Sequence, residues 1–94
     1  MPRNPKKHDP QYARDQLRQL HRDLAAGEIY IGEAVRRMRH ISGLTQPEFA
    51  RHRRISVQTL RQIESGKANP TVSTLDAIAD IFGLKTGFVP KREA

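Results

Sequence analysis

Two short stretches, Thr45–His52 and Ser56–Ser65, constrain this chain more than anything else in it. Each opens on a hydroxyl residue suited to capping a helix, and only three residues lie between them. Thr45-Gln46-Pro47-Glu48 reads as a capping box, in which the threonine oxygen accepts from the amide three residues on while Glu48 reaches back. Pro47 falls in the first turn, where its missing N–H costs little. Helices this short are unstable alone in water. The pair can persist only if locked together and laid on flanking helices. Ala50 is small where two helix axes would cross, and Ile55, Leu60 and Ile63 supply the wedge between them.

The flanking helices are legible. Asp9-Pro10 pairs an N-cap acceptor with proline at the first helical position. Ala13, Leu17, Leu20 and Leu24 then form one apolar stripe, and Gly27 ends the helix. That stripe suits either docking on the rest of the chain or a dimer seam. Ile31, Val35, Met38 and Ile41 or Ser42 mark a second helix that closes at Gly43. After the pair, Gly66 stops the helix and Lys67-Ala68-Asn69-Pro70 makes a loop. Thr71 caps a last helix with Leu75, Ile78, Ala79 and Phe82 on its stripe, ending at Gly83. The expected division is a basic disordered arm over 1–8, an accessory helix over 9–27, the central domain over 28–84 and a tail over 85–94. The segment from Leu84 to Val89 is expected to be extended.

A chain of 94 residues suits one domain with short tails. With 36% hydrophobic and 5% aromatic residues, little material remains for a ligand cavity beside a core, which favours a binding module over an enzyme. The absence of cysteine removes disulfides, thiolate zinc sites and cysteine nucleophiles. No apolar run approaches a membrane span, and the basic start lacks the apolar stretch of a signal peptide, so a soluble cytoplasmic protein is expected. His8, His21, His40 and His52 are dispersed, without carboxylates at metal-ligand spacing. Ser56 and Ser65 lack a His–Asp arrangement, and no glycine-rich loop is present to cradle phosphate. Neither cofactor, metal nor catalysis is expected.

The net charge of +7 favours a polyanionic partner, either nucleic acid or an acidic membrane surface. Its placement is uneven. Residues 27–67 carry eight Arg/Lys against four Asp/Glu, residues 1–26 six against three, and residues 68–94 three against three. The positive charge therefore sits in the first two-thirds of the chain.

A locked pair of short helices flanked in this way is the helix-turn-helix arrangement, in which the second helix enters the DNA major groove and the first crosses the backbone. The stretch from Ile31 to Gly83 resembles the phage-repressor and Cro type of helix-turn-helix domain, found in bacterial regulators and in antitoxins of the HipB kind. The residues that carry the resemblance are Arg39, Gly43-Leu44-Thr45-Gln46, Ala50, Ser56, Leu60, Ile63-Glu64-Ser65-Gly66-Lys67 and Asn69-Pro70. Leu75, Ile78, Ala79 and Phe82-Gly83 follow at the family's spacing. The resemblance implies an all-α, lambda-repressor-like bundle of four to five helices, here with an extra N-terminal helix. It also implies a homodimer on a pseudo-palindromic double-stranded operator.

On the matching positions, the resemblance implies that Val57, Gln58, Arg61 and Gln62 face base edges. Gln58 and Gln62 suit adenine, Arg61 guanine or a phosphate, and Val57 a thymine methyl. Gln46 would bond a phosphate or brace the recognition helix. Ser56, Thr59, Lys67 and Asn69 would meet the DNA backbone. Arg39 would pair with Glu64 and could also reach a phosphate.

Blander uses compete with these roles. Gln58, Arg61 and Gln62 lie opposite Leu60 and Ile63, as on any solvated helix face, and Glu64 could be a weak surface pair of less than ~1 kcal/mol. The turn also departs from the family, which places glycine where this chain has His52-Arg53-Arg54-Ile55. A left-handed Arg54 would cost on the order of 1 kcal/mol. Arg53 would need to lay its stem over the core. With Arg51, these arginines add positive charge at the expected DNA edge, where Arg54 joins the backbone contacts. An alternative function is the antitoxin of a toxin–antitoxin pair, with Leu84–Pro90 resembling tails that pair across such dimers and a toxin protein as second partner. RNA binding lacks an aromatic stacking platform.

Overall fold

The computed structural model describes residues 9–27 and 29–91. The basic arm expected over 1–8 and the last residues of the expected tail lie outside them. Five helices follow in order: α1 (Pro10–Ala25), α2 (Ile31–Ser42), α3 (Gln46–Arg53), α4 (Val57–Glu64) and α5 (Val72–Ala79). No strand occurs among the described residues. The all-α bundle of four to five helices read from the sequence is the one formed.

Local chemistry sets the ends. Asp9 accepts from the Gln11 amide at 2.9 Å to open α1. Thr45 accepts from the Glu48 amide while the Glu48 carboxylate takes the Thr45 amide at 2.9 Å, completing the capping box. Ser56 and Thr71 cap α4 and α5 through the amides of Thr59 and Thr74. Gly43 closes α2 with φ at +68°, a conformation glycine adopts without the Cβ penalty. The last helix, expected to run to Gly83, instead tightens after α5 into a 3-10 turn over Asp80–Phe82.

α2 is the hub and touches α1, α3, α4 and α5. Its own Val35 and Met38 are buried, as are Leu20, Phe49, Ala50, Leu60, Ile63, Ile78 and Phe82 from the other elements. The rings of Phe49 and Phe82 meet with centroids 6.3 Å apart. Full burial of a side chain such as Leu20 or Leu60 stabilises the bundle by roughly 1.5–3 kcal/mol. Gly32 lets α2 approach α4 very closely: a Cβ there would stand 2.7 Å from the Ile63 carbonyl oxygen.

The α1 stripe is used within the chain. Leu20 is fully buried, with Leu17 and Leu24 packed beside it. Asp23 takes Arg37 at 2.8 Å, and His21 Nε2 donates to the Phe82 carbonyl at 2.8 Å. These bonds hold α1 to both α2 and the 3-10 turn. Among the described residues, no helix is long and apolar enough to cross a membrane.

Candidate nucleic-acid interface

α4 divides cleanly by face. Leu60, Ile63 and Glu64 are buried, whereas Gln58, Arg61 and Gln62 are exposed. The alternation follows from helical spacing, since residues 58, 61 and 62 share one side of the cylinder. Val57 and Thr59 are half-buried, and Val57 packs partly on the core. Ser56 donates from Oγ to Thr59 Oγ1 at 2.8 Å, which organises the amino-terminal end of the helix. No acidic residue occupies the first turn of α4, so its positive dipole end is unopposed there.

Behind this face stands a buried ion pair. Arg39 Nε and Nη2 grip the two Glu64 carboxylate oxygens at 2.8 and 3.0 Å, and Nη1 donates to the Leu44 carbonyl at 3.3 Å. Glu64 is only 6% exposed, so it is no weak surface pair. Burial pushes its carboxyl upward, but the bonds from Arg39 and Gln46 and the charges of Arg39 and Arg36 outweigh that and hold it below the ordinary glutamate range. All three guanidinium nitrogens of Arg39 are turned toward the protein.

Gln46, the first residue of α3, joins this pair to the exposed face. Its Nε2 donates to Glu64 Oε1 at 3.1 Å, and its Oε1 accepts from Arg61 Nε at 3.3 Å. Gln46 therefore braces the second helix of the pair. Beyond α4, Gly66 adopts φ of +78° and the Lys67 amide donates to the Gln62 carbonyl at 3.0 Å. Lys67 and Asn69 are exposed on the loop that follows.

The turn is built on Arg54 in the left-handed conformation, φ +60° and ψ +41°, the only non-glycine residue with positive φ among those described. Arg54 is exposed. Arg53 lies over the bundle as its long stem allows, with Nη1 donating to the Ala77 carbonyl at 3.2 Å. Ile55 packs partly on the core and Ala50 is buried within it.

Arg36 escaped notice in the sequence. It donates from Nη2 to the Glu64 carbonyl at 2.8 Å and so caps the carboxyl end of α4. Its signal was its position, one turn before Arg39 on α2.

Two short helices in contact, bridged by the bond from Gln46 to Glu64, with a polar face turned outward, define a helix-turn-helix DNA-binding fold. A helix-turn-helix domain family matches residues 31–87. The chain belongs to the helix-turn-helix family, of the Cro and phage-repressor type. That match starts at α2 and leaves α1 outside it. No curated protein and no solved structure matches the chain.

Proposed function

We propose that the protein is a sequence-specific regulator of transcription, a repressor, that lays α4 in the major groove of double-stranded DNA. The observation that carries this is the exposed row Gln58, Arg61 and Gln62 on a helix whose opposite side is fixed by Leu60, Ile63 and Glu64. Glutamine pairs bidentately with adenine and arginine with guanine. Val57, half-buried at the start of the helix, offers methyl groups to a thymine.

Ser56, Thr59, Arg54, Lys67 and Asn69 meet phosphates around this helix. Because Thr59 Oγ1 accepts from Ser56, its own hydroxyl hydrogen is left to donate outward. Arg39 supports from behind, with Nε, Nη1 and Nη2 each bonded inside the chain.

The operator is pseudo-palindromic and is read by a homodimer. Support for this comes from the neutral end of the chain: residues 68–94 carry three cations and three acids. A second copy, itself strongly basic, meets least repulsion there. Phe88 and Val89 are exposed at that end, beside a groove lined by Ile29, Ile31, Leu75 and Leu84. Apolar surface of this kind favours association.

Selecting bound sequences from random DNA tests the proposal. A defined half-site repeated in inverted order is expected, with affinity falling as salt rises at a slope near −0.9 for each phosphate contact. Recovery of no consensus, or binding indifferent to salt, would refute it.

A further inference from the structure

We infer that the cleft between the α3–α4 turn and α5 is a binding site for a phosphoryl group. It stands apart from the outer row of α4, since none of Gln58, Arg61 and Gln62 lines it. Its walls carry His52 and Arg53 from the end of α3, Arg54 from the turn, and Ser73, Thr74 and Ala77 from α5. No carboxylate lines it. At about 390 Å³ it falls in the size range of small-ligand pockets.

Two neighbouring residues in this wall are held at a local cost. Arg54 is left-handed, with φ at +60°. Arg53 Nε is the one buried side-chain polar atom without a hydrogen-bond partner among the described residues. A backbone outlier and an unsatisfied buried donor each call for compensation, and each points toward function. Here both fall on adjacent arginines that line the same cleft.

The donors suit an oxyanion. Arg39 grips the Glu64 carboxylate with Nε and Nη2. Arg53 has the same two donors unspent, because its bond to the Ala77 carbonyl uses Nη1. That bond anchors the guanidinium at the cleft, and a planar fork takes phosphate oxygens two at a time. Nε is covered in the free chain, so the anion meets Nη2 first and gains the second donor as the head pivots on Ala77. On α5, Thr74 Oγ1 accepts from Thr71 Oγ1 at 3.0 Å, which leaves the Thr74 hydroxyl hydrogen to donate. The side chains of Arg54 and Ser73 make no bond among the described residues. A phosphoryl group, with up to two negative charges and three acceptor oxygens, matches two arginines and hydroxyls from the facing helix.

The test follows the amide and arginine side-chain NMR signals of the full chain as inorganic phosphate is added at constant ionic strength. Saturable shifts are expected at Arg53, Arg54, Ser73 and Thr74, with a dissociation constant at or below about 1 mM. Exposed arginines of α1, such as Arg14, are expected to stay still. Arg53→Gln should weaken the site about tenfold or more, and Ser73→Asp, which sets a carboxylate in the cleft, should abolish it. Signals remote from the cleft report that each variant is folded. Shifts that never saturate, that spread equally over all exposed arginines, or that survive both substitutions would overturn the inference.

Such a group belongs either to a free phosphorylated metabolite or to the DNA backbone, and a second arm separates the two. Arg53→Gln is titrated with duplexes of differing sequence. Affinity lost equally for all of them, with a salt slope shallower by about one contact, assigns the phosphoryl group to DNA. Unchanged DNA affinity, alongside weakened phosphate binding, assigns it to a free ligand. Both results uphold the site, and neither depends on which bases α4 reads.

Discussion

The Arg39 guanidinium holds both oxygens of the Glu64 carboxylate where the Glu64 side chain is 5% exposed, tying the end of α4 to α2. Burying two charges costs solvation that a single contact rarely repays. Here the cost is offset by a two-point grip and by further bonds from Gln46 and Arg36 to the same residue. The pair thus fixes geometry more than it adds stability.

Breaking one side of it should therefore hurt more than removing both. Arg39→Met leaves a buried carboxylate without its cation and is expected to destabilise the domain by roughly 3–5 kcal/mol. The double variant Arg39→Met with Glu64→Met is expected to recover much of that loss. Urea unfolding of the three proteins checks this, and a double variant no more stable than the single one would argue against it.

The same pair sets the response to acid. The Glu64 carboxyl is held below its ordinary value in the fold, so its contribution is present above the unfolded value and is lost as pH falls through the folded one. Asp23, lowered mainly by its bond from Arg37, and Asp76, lowered by the Thr86 side chain and then by the Thr86 amide, act in the same direction at the surface. Stability is expected to fall below pH ~4 in the wild type and to fall less steeply in Glu64→Gln. Denaturant midpoints across an acid series measure it.

Arg54 occupies a left-handed position that glycine fills without strain. Arg54→Gly is expected to stabilise the fold by about 0.5–1 kcal/mol after the entropy of glycine is allowed for. The same variant should weaken binding to all DNA sequences alike if Arg54 meets a phosphate. Thermal unfolding and gel-shift titration read the two effects separately.

Gly32 carries the opposite expectation. A methyl group there meets backbone, 2.7 Å from the Ile63 carbonyl oxygen and 3.1 Å from that of Glu64, so α2 must move off α4. Gly32→Ala is expected to cost roughly 1–3 kcal/mol despite alanine's higher helix propensity. A stabilised variant would mean that the two helices are not in such close contact.

These sites also show what the sequence disclosed and what it withheld. Helix ends are local chemistry, so Asp9, Thr45, Ser56, Thr71 and the glycines at 27, 43, 66 and 83 mark them directly. The burial of Leu60 and Ile63 was legible from spacing, and the unusual Arg53-Arg54 turn from its departure from the family. The use of Gly32 was not legible, because it depends on carbonyls 31 and 32 residues away. Nor was the bond from His21 to Phe82, which spans 61 residues and leaves no periodic trace. On α4, spacing opposite Leu60 and Ile63 identified Gln58, Arg61 and Gln62 as an outer face. Only the packed structure shows Gln46 placed between Arg61 and Glu64.

The central claim, that α4 reads bases while its surroundings hold the backbone, is tested most directly by comparing two alanine variants on one operator panel. Gln58→Ala is expected to lose ~1–3 kcal/mol at particular base pairs and little elsewhere. Lys67→Ala is expected to weaken every operator variant equally and to make the salt slope shallower by about one phosphate contact. If both variants bind the whole panel as the wild type does, or if Gln58→Ala weakens all sequences alike, α4 is not the reading helix.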